Sequence, residues 1–153
     1  MIGSMPAESR FWEDFEIGRR YATSARTITE EDHRQFCQLV GYDVPLFTDT
    51  TGGKDAPYGG RICPSHLIMS FATAMTGRLF ADTVLGLLGL EHGRFLAPVR
   101  PGDTIRTEVE VIDKKTTSNP ARGIVTFRDH VLNQNDETVF QIDKITLIKR
   151  RHA

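Results

Sequence analysis

The sequence predicts an α+β domain in which one long apolar helix is wrapped by a curved antiparallel β-sheet. Three observations carry this. Residues 64–79 place Leu67, Ile68, Phe71, Ala74, Met75 and Leu79 at helical spacing, with small residues between them and few charges before Arg78. A helix apolar around most of its circumference is a buried one. From Thr104 onward, strand-like segments follow one another with turn signals between them. Helices and strands are therefore segregated along the chain rather than alternating, which separates α+β from α/β.

Each element has a local reason. Residues 11–18 (FWEDFEIG) carry three aromatic side chains in five positions and read as a turn or strand entry that packs onto the body. Residues 21–28, rich in Thr and Ser, read as a strand. Thr29 opens a helix, as an N-cap hydroxyl followed by Glu30, Glu31 and Asp32 where the helix dipole favours acids. Phe36, Leu39 and Val40 form its expected apolar stripe, and Gly41 ends it. Residues 41–60 contain five Gly, two Pro and three Asp and show neither period. A stretch of that length without regular structure inside a compact domain is usually functional or disordered, and Tyr42, Val44, Leu46, Phe47 and Tyr58 favour an ordered loop. Pro64 suits the first position of the apolar helix.

After that helix, residues 85–90 are apolar with interleaved Gly, and residues 91–99 lead into the turn Arg100-Pro101-Gly102-Asp103. Residues 104–112 alternate, with Ile105, Thr107, Val109 and Val111 on one face and Arg106, Glu108 and Glu110 on the other, as a half-buried strand does. Residues 114–122 read as a polar connection, 123–132 as a second strand, 133–136 as a turn, 139–148 as a third strand and 150–153 as a charged tail. Residues 1–10 are expected to be disordered, and residues 11–153 to form one domain.

Composition narrows the classes. The 153 residues suit a single domain with a core large enough to fold without disulfide or metal. Apolar residues are 39% and charged residues 25%, with 19 basic and 20 acidic side chains and a net charge of −1. That balance argues against disorder and offers no basic excess for nucleic acid. Cys37 and Cys63 form no CxxC pair, so neither a disulfide scaffold nor a zinc site is expected, and two free thiols suit a reducing cytoplasm. No run approaches the length of a membrane span, and no apolar stretch precedes Phe11 as a signal peptide would. No residue cluster calls for a metal or redox cofactor. Cys63 reads as buried and inert; His33, His92, His130 and His152 lack local partners and read as surface or structural residues.

Four segments in order resemble the MaoC-like dehydratase family, which includes (R)-specific enoyl-CoA hydratases and has the hotdog fold. Residues 11–18 resemble its opening F-x-D-F-x-x-G, and residues 27–41 its T-x-T-x-x-D helix. Tyr58-Gly59-Gly60-Arg61-Ile62 resembles the F-G-G-x-I before the central helix. Residues 94–104 (RFLAPVRPGDT) resemble the strand-turn-strand R-F-x-x-P-V-x-x-G-D-T, the most specific of the four. The resemblance implies reversible addition of water to a 2-enoyl-CoA, an acyl-CoA as partner, and a homodimer or dimer of dimers. CoA enters only as part of the substrate.

Two motifs depart from the family pattern. Its G-D-x-N-P-I-H-x-D loop, where Asp and His activate a water, is matched by Gly41-Tyr42-Asp43-Val44-Pro45-Leu46-Phe47-Thr48-Asp49. Aligned on Pro45, Tyr42 stands at the Asp and Phe47 at the His. Its I-x-H-G-M-L is matched by Ile62-Cys63-Pro64-Ser65-His66-Leu67, with the His two places late. Hydration needs a base for water, an acid for the α-carbon and donors for the thioester oxygen. The family pattern puts the oxygen on the N–H of Ser65 at the helix start, with the Thr73 hydroxyl two turns on.

For acid and base the chain offers Asp43, Asp49, Asp55, Tyr42 and His66, with Asp43 as the first candidate base and His66 as its partner. Asp43 equally reads as an Asx turn, and His66 as a first-turn surface residue. Phe47, Asp49, Gly60 and Arg61 complete the candidate binding set. Arg61, Arg94 and Arg100 are candidates for the CoA phosphates or ordinary surface arginines. Phe47 in place of His keeps two alternatives open: a non-catalytic acyl-CoA-binding domain, and a thioesterase or hydratase of other acyl specificity. The C-terminal strands carry no obvious edge protection, which favours pairing between copies.

Overall fold

A computed structural model describes residues 2–151. Met1, His152 and Ala153 lie outside the described residues, and with them the expectation for His152. The chain runs β1 (Ile2–Ser4), β2 (Arg20–Ala22), β3 (Arg26–Thr27), α1 (Glu30–Val40), α2 (Pro45–Thr48), α3 (Ser65–Met75), β4 (Val84–Phe95), β5 (Thr104–Thr116), β6 (Arg122–Leu132) and β7 (Thr138–Lys149), with single 3-10 turns at Trp12–Asp14 and Gly77–Leu79. One seven-stranded sheet has the order β1-β2-β5-β6-β7-β4, and β3 pairs with β5 beside β2. All pairings are antiparallel except β1 with β2.

α3 lies across the inner face of this sheet. Leu67, Ile68 and Ala72 are buried against Ile28, Ile105, Val131 and Phe140. A second cluster sits beyond the C-terminal end of α3, where Phe15, Leu79, Val109, Val125, Phe127 and Ile148 meet. The expected alternation of β5 holds, with Ile105, Thr107, Val109 and Val111 buried. One stripe of α3 stays open: His66, Ser70 and Ala74, one turn apart, face solvent.

α1 begins and ends as its residues dictate. Thr29 Oγ1 accepts from the Asp32 N–H, Asp32 returns the bond to the Thr29 N–H, and Gly41 closes the helix in the left-handed region at φ 76°. Its buried face is another matter. His33 and Cys37 point inward, whereas Leu39 is 84% exposed and Val40 is also exposed. The apolar arc at 36, 37, 39 and 40 allows two faces, and the His33/Cys37 pair at i and i+4 is the one that lands on the domain.

Four further expectations are corrected. The leader is not disordered throughout: Ile2–Ser4 adds a strand beside Arg20–Ala22, because the edge of β2 still has free backbone groups to pair. The Thr/Ser-rich strand is split in two, β2 and β3, both laid on β5. The loop after Gly41 contains a turn of helix, α2, opened by Pro45. Its Gly52 takes φ 77° and packs so close to Gly60 that a side chain there would strike the Gly60 carbonyl. Lastly, the open edge is not C-terminal. β7 is covered by β4, and β4 forms the edge, with Leu85, Leu87, Leu88, Leu90 and Phe95 exposed along it.

The outer face of the sheet carries a charged ladder. Arg128 grips Asp143 with Nε at 2.7 Å and Nη2 at 2.9 Å, and His92 Nδ1 stands 3.0 Å from the same carboxylate. The Arg128 fork, aided by His92, holds the Asp143 carboxyl below the usual carboxylate range. A lowered folded-state value gives stability that is complete above the unfolded value, about 3.9, and is lost as pH falls through the folded one. The urea midpoint should therefore drop steeply below about pH 4, and Asp143→Asn should make that acid slope shallower. An unchanged slope would remove Asp143 from the acid transition.

Candidate active site

The site is built around the start of α3. Pro64 is its N-cap in an extended conformation (φ −55°, ψ 139°), and no side chain caps the helix. The first-turn N–H groups of Ser65 and His66 have no carbonyl one turn before them, so the positive end of the dipole is open to a ligand. The segment entering the helix is tied down from the opposite turn. Arg100 donates to the carbonyls of Tyr58 and Arg61, the latter at 3.3 Å, while Asp103 Oδ2 accepts from the Arg100 N–H at 2.8 Å. The Cys63 N–H donates to the Val99 carbonyl at 2.7 Å. A Cβ at Gly60 would stand 3.3 Å from the Arg100 guanidinium. The Arg-Pro-Gly-Asp turn thus acts as a buttress, and Asp103 is a turn residue as expected.

Two cavities lie in this region, and residues of α3 line only the first of them. One, of about 200 Å³, is lined by Ser65, Tyr58, Ile62, Phe95 and Val99. The other, of about 390 Å³, lies between α1 and the loop after it, against His33, Cys37, Tyr42, Asp43, Phe47 and Arg61. The Tyr42 hydroxyl stands 3.3 Å from Nδ1 of His66, an exposed residue that lines neither cavity. The Tyr42 ring is held edge-on by Phe47, with centroids 5.1 Å apart.

Of the candidate residues, Tyr42 and His66 are brought together. Asp43 is exposed on the rim of the larger cavity and has no hydrogen bond to His66 or to any other described residue; the pairing expected between them is not formed, because the residue that meets His66 is Tyr42. Asp49 is spent locally: its Oδ1 accepts from the Thr51 hydroxyl at 2.7 Å and the Thr51 N–H at 2.9 Å, which lowers its carboxyl value. Asp55 is exposed. Thr73 does not share the Ser65 site. Eight helical residues carry it about 12 Å along the axis, and it lines neither of the two cavities. Phe47 is loop packing and cavity wall at once.

Arg61 pairs with Glu30 and lines the larger cavity, and Arg100 is committed to backbone carbonyls. Among the described residues, the Arg94 side chain bonds only to the Gly93 carbonyl. Burial pushes the Cys63 thiol up to about 12, so it is inert as expected.

His33, expected to be a surface or structural residue, is structural. It is buried, and its Nε2 lies 2.6 Å from the Phe47 carbonyl, pinning α2 to α1. The available signal was its i, i+4 spacing from Cys37.

Comparison with known proteins gives the family and the fold. The chain belongs to the MaoC-like domain family, whose sequence profile matches residues 14–131. Mesaconyl-CoA hydratase of Cereibacter sphaeroides is 31% identical over 93% of this chain and 42% of its own length. A solved structure described as a monoamine oxidase regulatory protein from Archaeoglobus is 30% identical, with a TM-score of 0.85 over 95% of this chain and 98% of that one. A double-hotdog protein of Mycobacterium tuberculosis superposes with a TM-score of 0.81 at 17% identity, over 93% of this chain and 44% of that one, a likeness of fold alone. The fold is the hotdog fold. The chain spans about two fifths of the length of the first curated relatives it matches. No helix among the described residues is long and apolar enough to cross a membrane.

Proposed function

We propose that this chain is an acyl-thioester hydratase or dehydratase that adds water reversibly to a 2-enoyl-CoA. The observation that carries the reading is the uncapped start of α3 beside the Tyr42–His66 pair. The thioester carbonyl accepts from the Ser65 N–H, where the dipole stabilises the enolate-like charge. His66, oriented through Nδ1 by the Tyr42 hydroxyl, presents Nε2 to a water. The water oxygen bonds to the β-carbon, its proton passes to His66, and a proton is returned to the α-carbon. Water and the thioester are the only reactants, and no cofactor enters beyond the CoA of the substrate. The two free cysteines fit a reducing cytoplasm.

The second reading is a non-catalytic acyl-CoA-binding domain, favoured by Phe47 standing where the family pattern has His. Incubation with a series of 2-enoyl-CoA thioesters separates the readings. Loss of the conjugated double bond supports hydration. Release of free thiol in its place indicates a thioesterase, and saturable binding without turnover the binding domain.

The same reading includes a homodimer, or a dimer of dimers, joined through β4. Its exposed leucines and open backbone edge support pairing with a second copy. Light scattering should give at least twice the chain mass, and Leu88→Asp should give a monomer. A monomeric wild type sinks the dimer.

A further inference from the structure

The cavity at Ser65 has an apolar wall broken by three polar side chains, Tyr58, Cys63 and Ser65. The Cys63 thiol is spoken for by burial, which pushes it up to about 12. His66, the next residue of the helix, is not on this wall. From the helix, then, an oxygen in the cavity meets Ser65. The other polar side chain comes from the loop before the helix, and it is Tyr58.

Tyr58 is fixed through its backbone and free at its side chain. Its carbonyl is held by the Arg100 guanidinium, and two residues on the Gly60 carbonyl lies against Gly52. Among the described residues its phenol makes no hydrogen bond, and the residue is 43% exposed. No internal contact of the fold uses that hydroxyl. The family pattern F-G-G-x-I has Phe at this place, so the chain keeps the aromatic ring and adds one donor to it.

Hydration of a conjugated thioester draws negative charge onto the carbonyl oxygen, which has two lone pairs. The Ser65 N–H meets one of them. The second, against an apolar wall, is costly to leave unmet. We propose that the Tyr58 hydroxyl donates to the thioester oxygen as the second donor beside the Ser65 N–H, and is a catalytic residue of this chain. The assignment rests on the reading of the Ser65 helix start as the thioester site. The phenol keeps its proton throughout, so the bonds made and broken are those of hydration alone. Its hydrogen bond strengthens as the oxygen gains charge, and it therefore acts on the rate more than on binding.

Tyr58→Phe tests this, since it restores the residue of the family pattern and keeps the ring. Its kcat for a 2-enoyl-CoA should fall by about 10²- to 10³-fold, the usual loss for one oxyanion donor, with KM within about fivefold of the wild type. A second measurement needs no turnover. Acetoacetyl-CoA forms an enolate with its own ultraviolet band, and butanoyl-CoA forms none under the same conditions. The wild type should show the enolate band on binding acetoacetyl-CoA. The variant should bind that enolate at least about tenfold more weakly and hold butanoyl-CoA within about fivefold. An enolate held equally by both proteins, or absent from the wild type, overturns the second donor, and the hydratase reading then stands or falls on its own rate. So does a kcat that survives in Tyr58→Phe, or a loss confined to KM. An enolate that depends on Tyr58 in a protein that hydrates no enoyl thioester upholds the donor and overturns hydration. Binding of neither thioester overturns both.

Discussion

His66→Gln is expected to lower kcat for 2-enoyl-CoA hydration by about 10²- to 10⁴-fold, the usual contribution of a positioned acid or base. Tyr42→Phe should cost about tenfold or less, because it removes one orienting hydrogen bond and leaves the imidazole in place. The contrast matters because Asp43, the neighbour of Tyr42, is the other candidate base. It is exposed and unbonded among the described residues, whereas the Tyr42 hydroxyl meets His66. Steady-state rates of the three variants decide between them. Activity lost in Asp43→Asn and kept in His66→Gln would return the base to Asp43 and refute His66 as the group that activates water.

Lys144→Met should have the largest effect on stability, about 3–5 kcal/mol, by leaving a buried carboxylate without its counter-ion. Lys144 is 2% exposed and Asp129 fully buried, with Nζ and Oδ2 2.8 Å apart. They sit on the inner face of the sheet, where Lys144 also donates to Thr76 Oγ1 at 3.0 Å, next to the C-terminal end of α3. The positive charge there suits the helix dipole. Burial pushes the Asp129 carboxyl up, against the pull of Lys144. Without the lysine that upward shift should grow. A raised folded-state value means that the folded form binds the proton more tightly, so stability falls as pH rises. Urea unfolding of Lys144→Met should accordingly show a higher midpoint at pH 5 than at pH 7. Lys144→Met/Asp129→Leu should recover much of the loss, since a well-packed apolar pair often replaces a buried ion pair. A single variant as stable as the wild type would show that the pair contributes nothing.

The parts of the fold legible in the sequence are those decided within a few residues. Thr29, Asp32 and Gly41 bound α1 because capping is local chemistry. The alternation of residues 104–112 names the buried face of β5 because a strand has only two faces. The expected stripe of α1 failed for the opposite reason. Periodicity identifies an apolar arc, but which part of it is covered depends on what lies beside the helix, and in this chain that is the loop carrying Phe47. The edge of the sheet was misplaced in the same way. Strand order is a long-range property, and the leucines of β4 become an edge only because β7 lies between β6 and β4.

The candidate site divides along the same line. The sequence by itself determined the class of fold, the family pattern, the start of the apolar helix near Pro64 and the standing of Phe47 where that pattern has a histidine. Only the tertiary structure decided that Tyr42, not Asp43, meets His66 across 24 residues of chain. It also placed Thr73 too far along its helix to join Ser65, and buried His33 against the Phe47 carbonyl. The reason is physical: caps, turns and periodicity act over a few bonds, while a site is made where distant segments converge, and their relative placement is settled by packing.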